Sequence, residues 1–337
     1  MNILVYGAGG MGLYFSARLA QAGHRVVLKA RSSTQDAKLH LFTGGRTETI
    51  SGVSVVSEID PVDVDVVLIA TKAWQVEDAL LELQGKISNG TPLVTLQNGI
   101  EAPEVARRIF PASPVIATTC VVIVKRTAPL AVELIGGEAI LSAGLFDEVG
   151  ADTGIAERVV DAINESSVTA TLAQDVQRAL WKKIALIASY GGVGAVSGVP
   201  VGVTRTHPET RSMVRDGIVE VASVAHAYGV TFTREDVEEV FSVYTDVFDP
   251  STTSSMQRDL ASGLPSELAD QNGAIVARAA QVRVATPTHS FILNSQLPRE
   301  RQASKAELMS ETPTVRRMAV PPLIAVSIGN SGRRLMR

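Results

Sequence analysis

The sequence predicts an α/β domain followed by an all-helical one. Three observations carry that expectation. An apolar run at residues 2–6 stops at a glycine cluster and passes at once into helical apolar spacing. Further short apolar runs alternate with helical windows as far as about residue 168. From about residue 174 onward helical windows take over and strand signals almost vanish. Alternating strands and helices build a parallel sheet, whereas a run of helices builds a separate bundle.

At 337 residues the chain has length for two domains and a sizeable core. It is 45% apolar and 20% charged, ordinary for a soluble α/β protein. A formal net charge of −4 provides no field for nucleic acid, so no such partner is expected. The single cysteine, Cys120, excludes an internal disulfide and a cysteine-based zinc site. The first residues lack a basic segment before their apolar run, and nowhere do eighteen apolar residues follow one another. A cytoplasmic chain without a membrane partner is therefore expected.

Taken in order, residues 2–6 form the first strand and stop at Gly7-Ala8-Gly9-Gly10-Met11-Gly12. Leu13, Phe15, Ala17, Leu19 and Ala20 then mark a helix that ends near Gly23, and residues 24–30 read as the second strand. Gly7 permits a tight turn, Gly9 permits close approach to a pyrophosphate, and Gly12 lets helix pack on strand. Strand, glycine loop, helix and strand together make a Rossmann-type dinucleotide site, with phosphates at the helix N-terminus. Where an NAD site places an acid at the end of the second strand, this chain has Lys29 and Arg31, and its first acid is Asp36. A guanidinium grips a 2′-phosphate with two hydrogen bonds, so Arg31 favours NADP(H).

Residues 47–59 alternate weakly, and 62–70 form another parallel strand followed by Lys72. A helix is expected over 75–85, then a strand over 92–96 that ends in Gln97-Asn98-Gly99. Lys72 and Asn98 thus fall at carboxyl ends of strands, which face the ligand crevice in such sheets. Residues 115–124 and 131–141 read as two strands of a hairpin or edge extension. Helices are expected over 153–165, 174–190, 209–228, 234–245 and 265–282. In the second of these Lys183 shares a face with Leu180 and Ile187, whereas Lys182 points elsewhere. An ammonium on an apolar stripe loses hydration unless a carboxylate or a substrate meets it. Pro265 suits a helix start, and Glu267 would lie in the first turn, placed to hold Lys183 charged. The domains divide as 1–168, 169–303 and a basic tail, 304–337, read as a loose appendage.

In this order Gly7 to Gly12, Arg31, Thr71-Lys72-Ala73-Trp74-Gln75, Leu96 to Gly99, Trp181 with Lys183, Ser255-Met256 with Asp259, Glu267 and Asn272-Gly273 resemble the ketopantoate (2-dehydropantoate) reductase family from Met1 to about Glu300. The resemblance implies NADPH-dependent reduction of a 2-oxo acid, ketopantoate to pantoate, in pantothenate biosynthesis. Lys183 would be the general acid, Glu267 would orient it, and Ser255 would hold the substrate carboxylate. Lys72 and Asn98 would line the cofactor–substrate crevice. No metal is called for, and a homodimer is expected. The family pattern has asparagines four and eight residues after the lysine, where this chain has Ile187 and Gly191. That departure leaves two alternatives open: reduction of a different, more apolar 2-oxo acid, or a non-catalytic NADP-binding sensor.

Overall fold

The computed structural model describes residues 1–34, 37–147 and 154–310, with 306–310 as helix backbone alone. Asp36 and residues 311–337, which include Arg316, Arg317, Arg333, Arg334 and Arg337 of the expected tail, lie outside the described residues.

The first half opens with β1 (Asn2–Tyr6), α1 (Gly10–Gln21), β2 (Arg25–Lys29), β3 (Leu39–Thr43), β4 (Arg46–Ile50) and β5 (Val53–Val56). Next come β6 (Val66–Ile69), α2 (Val76–Leu83), β7 (Leu93–Thr95), α3 (Ala102–Ile109) and β8 (Val115–Val121). It closes with β9 (Val124–Ala128), β10 (Ala131–Leu134), β11 (Ile140–Leu145), α4 (Gly154–Asn164) and β12 (Thr169–Leu172). Eight strands form the main sheet in the order β12-β11-β8-β7-β6-β1-β2-β5, and β4-β3-β10-β9 form a second sheet. From β5 across to β8 neighbouring strands are parallel; β11 returns antiparallel to β8. The strand order reverses at β1, with β2 on one side and β6 on the other, which opens a crevice at the carboxyl ends of these strands. The fold is therefore the expected Rossmann-type α/β half followed by helices.

Two expectations differ from the structure. The strands expected at 115–124 and 131–141 each break in two. β8 and β11 stay in the main sheet, while β9 and β10 pair with each other and β10 joins β3 in the small sheet. The break at 122–123 lets β9 cross to the glycine loop, where Val124 lies against Gly10. The main sheet also takes β12 from residues 169–172, so pairing runs past the boundary expected at 168. With only Ala170 buried in that strand, its apolar signal is slight.

The second half contains α5 (Val176–Ser197), α6 (Val201–Thr204), α7 (Pro208–Ala227), α8 (Arg234–Ser242), α9 (Ser255–Ala261), α10 (Ala274–Val282) and α11 (Pro287–Ser310). α5 is its axis. Asp175 caps its start by accepting from the Arg178 N–H at 2.8 Å, and Gly198, at φ 74°, ends it in the left-handed region. Leu180, Trp181, Ile184 and Ala188 bury against Val214, Ile218 and Val221 of α7. Among the described residues no helix is long and apolar enough to cross a membrane.

Candidate active site

Gly7 sits at φ 113°, a turn that side-chain-bearing residues rarely adopt. A Cβ on Gly12 would lie 1.8 Å from the Gly7 carbonyl oxygen, so only glycine lets α1 start this close to β1. Ala8, Gly9, Gly10 and Met11 complete the loop, and Gly9 caps α1 without any side-chain bond. The first-turn N–H groups of a twelve-residue helix thus face the crevice, a donor set that fits a pyrophosphate. Arg31 follows β2 in an exposed turn. Lys29 does not share that position: its ammonium bonds the Ser57 carbonyl and pairs with Glu82 at 3.0 Å, and Glu82 also accepts from Tyr6. It is a structural cation.

Three strands that end at the crevice are each tied to the helical half. After β6, Lys72 pairs with Asp259 of α9 at 3.6 Å and lies over the Trp74 ring, 5.7 Å from its centroid. After β7, Asn98 donates to the Glu267 carboxylate at 3.3 Å. Near the end of β8, the Cys120 carbonyl accepts a 2.7 Å hydrogen bond from the Lys183 ammonium of α5. Gln97 braces the loops by donating to the Ile69 and Thr71 carbonyls at 2.9 and 3.0 Å.

Lys183 is partly buried, and burial lowers its pKa below the usual lysine range, with the Glu267 charge among the groups that oppose the shift. No direct ion pair joins Lys183 to Glu267 among the described residues; the carboxylate acts on the amine through space. Lys182, by contrast, is held by Asp236 at 3.1 Å and Glu239 at 2.6 Å, beside Arg178 on the same Asp236. The two adjacent lysines are thereby sorted: one is a surface tie and the other turns to the crevice.

Glu267 is only 6% exposed. It does not occupy the first turn of a helix begun by Pro265. Residues 264–266 are irregular, Ser266 is bonded to Glu300, and the next helical stretch is a π-turn at Ala269–Gly273. There the Gly273 N–H reaches back to the Leu268 carbonyl at 3.0 Å. Gln271, one α-helical turn after Glu267, donates to Glu267 Oε2 at 3.2 Å, the same oxygen that Asn98 holds. Asn272 fastens the π-turn to α5, donating to the Ala188 carbonyl at 3.1 Å and meeting His289 Nδ1 at 2.9 Å. Gly99, at φ 123°, lets the β7 loop approach the Asp270 carbonyl, 3.3 Å from where its Cβ would stand. Burial, then the charges of Glu267 and Glu101, push the Asp270 carboxyl up to about 7. Asp270 lines a cavity of about 180 Å³ with Trp74, Asn98, Gly99 and Glu101.

Ser255 is the first residue of α9, partly exposed, and shares a helix face with Asp259, which points to Lys72. Its neighbour Ser254 is buried, caps α9 through the Gln257 N–H at 3.0 Å, and packs against Gly191. Ser254 and the Cys120 carbonyl carry no sequence signal for the site, because a cap and a backbone acceptor are set by geometry, whereas Gln271 has the signal of its i+4 spacing from Glu267. Among the described residues no group of three histidine, cysteine or acidic side chains is arranged to hold a metal ion.

Comparison with known proteins gives the family and the fold. A family model described as "Ketopantoate reductase PanE/ApbA" matches residues 3–148, and its C-terminal counterpart matches 175–296. A 2-dehydropantoate 2-reductase of Vibrio cholerae serotype O1 is 27% identical over 315 residues, covering 91% of this chain and all of the relative. The crystal structure of a PanE/ApbA family ketopantoate reductase from Ralstonia eutropha superimposes with a TM-score of 0.77 at 25% identity, covering 90% of this chain and 100% of that one. The ternary structure of a D-mandelate dehydrogenase with NADH and anilino(oxo)acetate has a TM-score of 0.81 at 24% identity, covering 90% of this chain and 99% of that one; at that identity the likeness is one of fold.

Proposed function

This chain belongs to the ketopantoate reductase PanE/ApbA family of oxidoreductases, and from that premise we propose that it reduces a 2-oxo acid to a 2-hydroxy acid with NADPH, ketopantoate to pantoate in the first instance. The glycine loop from Gly7 to Gly12 receives the pyrophosphate at the start of α1, and Arg31 receives the 2′-phosphate. Bound NADPH supplies the hydride.

Lys183 is the general acid. As C2 of the substrate gains the hydride, the ketone π bond opens and the oxygen takes a proton from Lys183 Nζ, which solvent then reprotonates. Desolvation makes that proton easier to give up than an ordinary lysine's. Glu267 stabilises the ammonium form between turnovers and is held in place by Asn98 and Gln271. Ser255 anchors the substrate carboxylate, with Lys72 beside it on the opposite wall. The observation that carries the reading is the Lys183–Cys120 contact, which sets a desolvated amine at the carboxyl end of β8.

Ile187, one helical turn beyond Lys183, and Gly191 favour a second reading, reduction of a more apolar 2-oxo acid. The test is NADPH oxidation with ketopantoate and a panel of 2-oxo acids, repeated with Lys183→Ala. Dinucleotide binding with no turnover on any acid would instead favour a sensor.

A further inference from the structure

Resting on the second reading above, reduction of a more apolar 2-oxo acid, we infer that the wall beside Lys183 is built for a substrate whose side chain is apolar and carries no hydroxyl, with Val121, Ile140 and Ile187 as its specificity-determining residues.

The position of that wall follows from how α5 lies on the sheet. A Cβ on Gly144 would meet the Val176 Cβ at 2.9 Å, and Gly144 pairs with Ala117 of β8. Two turns later Lys183 reaches the Cys120 carbonyl. α5 therefore advances along β8 toward the strand's carboxyl end. Side chains alternate along a strand, so Ala117, Thr119 and Val121 share one face. Ala117 is packed under α5 with Val176 and Leu180, which makes this the face that α5 covers. Thr119 and its partner Ser142 follow, and then Val121 emerges where the helix has lifted away.

Val121 is 67% exposed, and Ile140, paired directly across from it, is 60% exposed. Open apolar surface of this kind, one residue from the carbonyl that holds the proton donor, calls for an apolar occupant. On the α5 side Ile187 shares the face of Lys183 and brings no hydrogen-bonding group. The next turn is closed as well: a Cβ on Gly191 would lie 2.6 Å from Ser254 Oγ, so Ser254 already fills the space a longer side chain would need. Ser254 also serves as the cap of α9, its oxygen accepting from the Gln257 N–H at 3.0 Å. A substrate hydroxyl placed against Val121, Ile140 and Ile187 finds no hydrogen-bonding partner on those side chains.

A matched pair of substrates reads this directly. 3,3-Dimethyl-2-oxobutanoate and its 4-hydroxy derivative, ketopantoate, differ by one hydroxyl. The expected result is a kcat/KM about ten- to a hundredfold higher for the hydroxyl-free acid. Ile187→Asn narrows or reverses that ratio, and Val121→Asn, at an exposed position that tolerates a polar side chain, lowers kcat/KM for the hydroxyl-free acid while leaving the KM for NADPH unchanged. Ketopantoate turned over as well as or better than its analogue, with the ratio unmoved by both substitutions, overturns the apolar wall and leaves the reductase standing. Failure to turn over either acid or any other 2-oxo acid removes the reductase reading itself, and the wall with it.

Discussion

The Lys183 ammonium donates a 2.7 Å hydrogen bond to the Cys120 carbonyl oxygen, across the seam between the helical half and the end of β8. That one contact orients a desolvated amine without spending a side-chain carboxylate on it. Glu267 then influences the charge from a distance rather than locking it in an ion pair.

Because burial depresses the Lys183 pKa, the ammonium form, the proton donor of the proposed reduction, is lost at lower pH than for an exposed lysine. The pH profile of kcat/KM for 2-oxo acid reduction should fall on its basic side with a midpoint below the usual lysine range. Glu267→Gln removes a charge that supports the ammonium, so that midpoint should move lower still. A midpoint unmoved in the variant would show that Glu267 has no electrostatic hold on the amine.

Asp270 yields a stability prediction of the opposite kind. Its carboxyl is raised to about 7 by burial and by Glu267 and Glu101, so the folded protein binds this proton more tightly than the unfolded chain. Stability from this group is full below the ordinary carboxylate pKa and is lost as pH rises toward about 7. Thermal melts of Asp270→Asn should show a flatter dependence across that window and a higher Tm than wild type above it.

Asn98 and Gln271 hold the same oxygen of Glu267. A hydrogen bond to a charged group is worth about 1.5–3 kcal/mol. Asn98→Ala or Gln271→Ala should therefore lower kcat/KM by roughly ten- to a hundredfold, with little change in Tm for the half-exposed Asn98. Steady-state kinetics beside a melt separates a misplaced carboxylate from a loosened fold.

Gly191 has no room for a side chain because Ser254 lies against it. Gly191→Asn should destabilise the protein by about 1–3 kcal/mol through overpacking. Pairing it with Ser254→Gly should recover much of that loss, which chemical denaturation of the single and double variants measures.

Much of the fold was legible because the glycine loop, the short apolar runs and the helical windows each follow from local sequence. β1, β2 and α1 fall within a residue or two of their expected limits. The small sheet was not legible: β9 carries Lys125 and Arg126 on an exposed strand, β10 is four residues long, and the pairing of β10 with β3 joins segments about ninety residues apart. Likewise the placement of Lys183 on an inward face can be read from its spacing, whereas its acceptor is a backbone carbonyl sixty-three residues away that no motif marks. The π-turn that carries Asn272 against α5 is equally silent, since one extra residue in a helical turn has no compositional signature.

Arg31 gives the cofactor preference its own test. Arg31→Ala should raise the KM for NADPH by roughly ten- to a hundredfold while leaving NADH nearly unchanged, as expected for loss of a charge-assisted bond to a 2′-phosphate.

The central claim is that Lys183 delivers the proton. The most direct measurement is single-turnover hydride transfer from saturating NADPH to a saturating 2-oxo acid in wild type and in Lys183→Met, which keeps the length and apolar body of the side chain. The account predicts a loss of about 10²–10⁴-fold in the variant with dinucleotide affinity intact. A variant that transfers hydride within a few-fold of wild type contradicts it.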